Sequence, residues 1–172
     1  MNKLKSIIYF LVLFSAAIGI LFLIARPEKN SSVDNQSASV DQSAAVNLVV
    51  DESFFDFGDI SMAAGVVAHE FKVKNIGTTE AVISQIYTSC MCTEATFKKG
   101  DTKLGPFGMP GHGFVPKING AIGAGEEAII EVAFDPAAHG PAGVGPIDRM
   151  VYLVYKDKDK PIELEFKAVV QP

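Results

Sequence analysis

The chain has no Cys-x-x-Cys, no phosphate-binding glycine loop, no serine nucleophile elbow and no His-Glu-x-x-His. With them go the sequence signatures of the ordinary enzyme classes, and nothing pairs acid and base groups for catalysis. Lysines are scattered and the net charge is −5, so no basic face is available for nucleic acid. Tryptophan is absent, cysteine occurs twice, and no tandem repeat recurs at solenoid or propeller spacing. No convincing amphipathic helix is present. These absences predict a protein that is not an enzyme and has no nucleic-acid partner. The 15 Gly and 9 Pro fit a loop-rich β domain.

One long hydrophobic run exists. Ile7 to Ala25 is uncharged and overwhelmingly apolar. At 1.5 Å per residue it spans roughly 28 Å, close to the hydrocarbon thickness of a bilayer. A cleaved signal peptide competes, but its apolar region is shorter and ends in a small-x-small site. Here the run ends in Ile24-Ala25-Arg26-Pro27, and no cysteine follows to accept a lipid. Residues 1–27 therefore read as an uncleaved, single-pass transmembrane anchor, the membrane being one predicted partner. Lys3 and Lys5 against Arg26 and Lys29, with Glu28 diluting the latter, favour a cytoplasmic N-terminus. The rest of the chain is then extracytoplasmic, periplasmic or cell-surface.

Residues 28–45 are Ser, Asn, Gln, Asp and Ala with little to bury, a flexible polar linker. From Val46 the hydrophobic period becomes two. Strands are predicted at 46–50, 54–57, 66–74, 81–88, 127–134, 147–155 and 162–170. Val67, Phe71 and Val73 share a face, with His69 in phase at the core edge. Ala128, Ile130, Val132 and Phe134 face inward, as do Ile162, Leu164, Phe166 and Ala168. A strictly half-polar strand belongs to an antiparallel sheet with one face in water. About seven short strands without helices make an all-β sandwich the economical fold. It occupies residues 46–172, interrupted by a Gly/Pro-rich insertion at 98–125 that reads as one long irregular loop.

Several blocks recur in a known order. They are Phe55-Asp56-Phe57-Gly58-Asp59-Ile60, Phe71-x-Val73-x-Asn75-x-Gly77, Ser89-Cys90-Met91-Cys92-Thr93, Gly125-Glu126 and Val132-x-Phe134-Asp135-Pro136. Over roughly residues 50–170 the chain resembles the bacterial immunoglobulin-like family known as domain of unknown function fifteen seventy-three. That family is related to the ASPM–SPD–Hydin and major-sperm-protein-like sandwiches. Its members usually read Ser-Cys-Gly-Cys-Thr, and Met91 replaces the small middle residue. The gap between Cys92 and Gly125 is also longer than usual. The resemblance implies an extracytoplasmic immunoglobulin-like sandwich and brings no activity with it.

The chemistry in question sits at Cys90-Met91-Cys92. In an extended strand the two Cα atoms would lie roughly 6.6 Å apart on one face, at the outer limit for a disulfide, so bridging requires a kink. A ring this small would stabilise little through chain entropy, which makes an ordinary staple a poor explanation. Three readings stay open: two small buried hydrophobes, a thiol–disulfide couple, or a soft-metal site. For the last, thiolates and thioethers select Cu(I) or zinc, and the candidate ligands of a Cu(I)-type site are Cys90, Cys92, Met91, Met109, His112, His139 and Met150. Loops at one end of a sandwich converge, which would bring Cys90, Cys92, His112 and His139 together. In function the chain reads first as a non-enzymatic interaction or scaffolding module with a protein partner in the cell envelope. Copper handling and thiol–disulfide exchange are the alternatives.

Overall fold

The computed structural model describes residues 46–156 and 159–172. The predicted anchor at 1–27 and linker at 28–45 lie outside the described residues. Among those described, no helix is long and apolar enough to cross a membrane.

The domain is all-β, two five-stranded sheets packed face to face. Its strands are β1 Leu48–Val50, β2 Phe54–Ser61, β3 Val67–Asn75, β4 Ala81–Thr88 and β5 Thr93–Lys99. The remainder are β6 Thr102–Phe107, β7 Gly120–Ile122, β8 Glu127–Phe134, β9 Gly145–Tyr155 and β10 Ile162–Gln171. One sheet runs β1-β3-β8-β5-β6 and the other β2-β10-β9-β4-β7. All pairs are antiparallel except β2 with β10, which run parallel.

The period-two reading places the core correctly. Phe71, Val73, Ile130, Val132, Phe134, Leu164 and Phe166 are all buried, whereas Glu70, Lys72, Lys74 and Lys167 are exposed. Phe166 packs edge-on against Phe57 and at a tilt against Phe134, with centroids 5.5 and 5.4 Å away. His69 stacks on Phe55 at 3.6 Å and meets Phe71 edge-on, the core-edge position its phase predicts.

Two corrections concern strand number and the insertion. Ten strands are present among the described residues rather than about seven, because β5, β6 and β7 were not anticipated. Two of those three fall inside 98–125, so that stretch is not one irregular loop. Phe107 on β6 is buried in the core, and Ile122 on β7 is fully so. Gly105 explains how β6 docks. Its φ is +120°, and a Cβ there would stand 3.0 Å from the Ala95 carbonyl oxygen, so only glycine fits. Pro106 follows without breaking the sheet because β6 is an edge strand.

Buried Asn75 ties the two sheets together. Its amide Nδ2 donates to the carbonyls of Thr79 at 2.8 Å and Ile122 at 2.9 Å, and its Oδ1 accepts from Gly77 N at 2.9 Å. Its backbone accepts from Gly125 N and donates to Glu126 O. The Asn75-x-Gly77 and Gly125-Glu126 blocks are therefore one hydrogen-bonded unit. It closes the end of the first sheet where Leu48 pairs with Asn75. At the other end Val67, Phe134 and Thr93 lie in register, and the chain crosses from β4 in one sheet to β5 in the other.

Candidate redox or metal centre

That crossover is Ser89-Cys90-Met91-Cys92. Buried Thr88 donates its Oγ1 hydrogen within the turn, 2.9 Å from Cys90 O and 3.1 Å from Thr93 O. Thr93 N donates to Cys90 O. Outside the turn, Ser89 N donates to Met150 O and Met150 N to Ser89 Oγ, while Asp135 N donates to Cys92 O. The turn supplies the kink that a bridge requires: the Cα atoms of Cys90 and Cys92 stand 5.3 Å apart and the two sulfurs form a disulfide. Among the described residues there is no free cysteine.

The two sulfurs differ in surroundings. Cys92 is 3% exposed, and its Sγ accepts from Arg149 Nε at 3.4 Å and lies 3.7 Å from Thr93 Oγ1. Cys90 is half-buried; its Sγ lies 3.2 Å from His139 Nε2 and accepts from the Cys92 backbone N–H at 3.4 Å. His139 is exposed, presented by the Asp135-Pro136 turn in which Asp135 Oδ1 accepts from Ala137 N. Each sulfur thus faces one side chain able to carry positive charge.

Arg149 is the residue that sequence reasoning missed. It sits on β9 in phase with Ile147, Val151 and Leu153, the apolar positions that pack into the core. A cation at an inward phase is the signal the sequence offers. No carboxylate among the described residues forms an ion pair with it. Its Nη1 donates to the backbone carbonyl of Asp148, leaving Nε for the sulfur.

Of the seven predicted soft ligands, three converge. The ligating atoms of Cys90, Cys92 and His139 lie within 4.8 Å of one another, the group of this kind that forms among the described residues. His112 is not part of it. Met91, Met109 and His112 instead line a neighbouring cavity of about 320 Å³ that also holds the exposed Phe114. A second cavity of about 220 Å³ is lined by Met91 and Cys92 with Val66 and Ala138. Met91, half exposed, stands between the two. Met150 reaches the crossover through its backbone, as described.

No curated protein matches the sequence. A protein of unknown function from Porphyromonas gingivalis W83 shares the fold, with a TM-score of 0.54 at 12% identity. The similarity covers 78% of this chain and 51% of that one, so this chain spans about half its length. The ASH / PapD-like domain 7 of human CEP192 superposes at a TM-score of 0.40 with 14% identity, covering 84% of this chain and 96% of that domain. A family model matches from β1 through β6, including both cysteines and stopping before His139 and Arg149. The matched span is shorter than the 50–170 suggested by the sequence blocks. Over residues 48–108 the chain matches the family described as Protein of unknown function (DUF1573), the one its Ser-Cys-x-Cys-Thr block resembles.

Proposed function

We propose that this protein is a membrane-tethered, extracytoplasmic interaction module that engages a protein partner of the cell envelope by thiol–disulfide exchange at Cys90–Cys92. The observation that carries it is the setting of the disulfide, with one cation-capable side chain on each sulfur. Such groups favour thiolate over thiol, and the thiolate is the reactive species. A three-residue ring stabilises a fold little, so a bridge retained there serves chemistry better than folding. Disulfides persist on the oxidising side of membranes, which agrees with an Ile7–Ala25 anchor and an outward-facing domain. In this reading the module acts as a partner in exchange.

Thiol counting tests this. The purified full-length chain should show no thiol reactive to a maleimide before reduction and two afterwards. Two free thiols in the untreated, air-exposed chain would overturn it. For the tether, the chain should remain in membranes after a carbonate wash, and a soluble form beginning near Glu28 would contradict it.

The convergence of Cys90, Cys92 and His139 favours copper as a second reading. An oxidised pair offers no thiolate, so Cu(I) binding would belong to the reduced protein, with two sulfurs and one imidazole as donors. The reduced chain should then hold about one Cu(I) against a micromolar chelator. Replacing both cysteines by Ser should abolish binding, His139→Ala should weaken it, and His112→Ala should leave it unchanged. Failure to compete with the chelator removes this reading and leaves exchange standing.

A further inference from the structure

We infer that exchange at this site is directional: the partner attacks Cys90, and Cys92 is the leaving sulfur, received by Arg149. This rests on the thiol–disulfide reading above and adds which bond partner each cysteine is. Attack on a disulfide requires access to one sulfur, and departure requires stabilisation of the other as thiolate. The structure separates these requirements. Cys90 is half-buried at the surface beside exposed His139. Cys92 is 3% exposed, at the wall of the smaller cavity, and accepts a hydrogen bond from a guanidinium that has no carboxylate partner among the described residues.

The step balances with a dithiol protein of the envelope as co-reactant. One partner thiolate attacks Cys90 Sγ, forming a partner–Cys90 disulfide while the Cys90–Cys92 bond breaks. The bonding electron pair leaves on Cys92 Sγ, where the Arg149 Nε–H donates to it. The partner's second thiolate then attacks its own sulfur in the mixed disulfide and releases Cys90. The partner ends oxidised by two electrons, the domain ends as a dithiol, and protons exchange with water. In the reverse direction Cys90 is again the sulfur that bonds to the partner, and Cys92 closes the ring.

A guanidinium is a cationic hydrogen-bond donor, which suits Arg149 to receive the leaving sulfur as thiolate. Met91 and the cavity that it lines with Glu94, Met109, His112 and Phe114 flank the crossover and give a partner's backbone a surface of mixed polarity.

The test uses the full-length chain in mild detergent. Single-cysteine variants are reacted with an aromatic disulfide that releases a coloured thiolate. Cys92→Ser, which keeps the accessible Cys90, should react at least about tenfold faster than Cys90→Ser, and should accumulate a stable mixed disulfide. In the two-cysteine protein, Arg149→Gln should slow reduction by a small dithiol about tenfold, because the leaving sulfur loses its cation. Arg149→Lys should restore most of the rate, which a merely structural role for the side chain would not predict. Equal reactivity of the two single-cysteine variants, or faster reaction at Cys92, overturns the inference. So does an unchanged rate in a folded Arg149→Gln protein. If Arg149→Gln does not fold, the single-cysteine comparison decides alone. A disulfide that no dithiol reduces in the folded wild-type chain refutes the exchange reading itself, an outcome distinct from a reducible bond that opens from the wrong side.

Discussion

Replacing Asn75 probes the junction between the two sheets. The side chain is fully buried and makes three hydrogen bonds, two from Nδ2 and one to Oδ1. A typical buried hydrogen bond contributes about 1 kcal/mol net, and abandoning a buried carbonyl costs about 1–3 kcal/mol. Asn75→Ala leaves the Ile122 carbonyl without its amide donor and removes the acceptor for Gly77 N. The expected loss is about 2–4 kcal/mol, a large share of the roughly 5–15 kcal/mol that holds a domain of this size. The melting temperature should fall by roughly 10 °C. Asn75→Asp adds a sign. It keeps the shape but puts a carboxylate oxygen where Nδ2 stood, facing two carbonyl oxygens. Repulsion and burial disfavour the charged form, so the folded protein would hold a proton that the unfolded chain releases. A carboxyl pKa raised by folding makes stability fall as pH rises. Asn75→Asp should therefore be more stable near pH 4 than at pH 7, a trend Asn75→Ala should not share. Urea unfolding at both pH values measures this. A loss below about 0.5 kcal/mol for Asn75→Ala would refute the role assigned to the amide.

Other perturbations follow from the same packing. Phe166→Ala should cost about 3–5 kcal/mol by emptying a site between Phe57 and Phe134; Lys167→Ala on the same strand should leave the unfolding midpoint within error of wild type. Reversal of that order would put the register of β10 wrong by one residue. Deleting residues 105–113 should unfold or severely destabilise the domain, because it removes buried Phe107 and half of β6; an unchanged melting temperature would mean the edge strand contributes nothing. Glu126, paired with Lys99 and accepting from Gly123 N, has its carboxyl pKa lowered from the usual glutamate value by those two contacts. Its contribution is present above the pKa of the unfolded chain's glutamate and disappears as pH falls through the lowered folded-state pKa. Acid titration of Glu126→Gln should show a smaller loss in that window than wild type does.

Sequence periodicity located seven strands and the inward face of the best of them, because alternation is legible where Val, Ile and Phe alternate with Lys and Glu. The three remaining strands carry other chemistry. On β5 the inward residues are Thr93, Ala95 and Phe97, small or polar except for the last, with Thr96 buried beside them. β6 contains Gly105 and Pro106, residues that ordinarily mark a loop and are admitted here by an edge position. On β7, a Cβ at Gly120 would stand 3.2 Å from the Phe97 ring, so a residue that reads as a breaker is set by close packing. The cysteines were recognisable as the centre of the chemistry, and His139 as a neighbour. His112 was grouped with them because loops at one end of a sandwich tend to meet, yet it lines the adjacent cavity with Met91 and Met109. Arg149 is separated from Cys92 by 57 residues, a relation that only the pairing of β4 with β9 brings about.

The opposed ends of the first sheet have a practical meaning. Leu48, where the described chain begins its first strand, pairs at the Asn75 end, and the Cys90–Cys92 crossover lies at the end marked by Phe134. The eight residues of β8 between those ends amount to roughly 26 Å. A surface to which the domain is coupled at Leu48 itself would therefore have its attachment point and the disulfide at opposite ends of the sheet. A sensor chip loaded that way presents every copy with the reactive sulfur outward, whereas coupling through lysines scattered over the sheets would orient the copies at random.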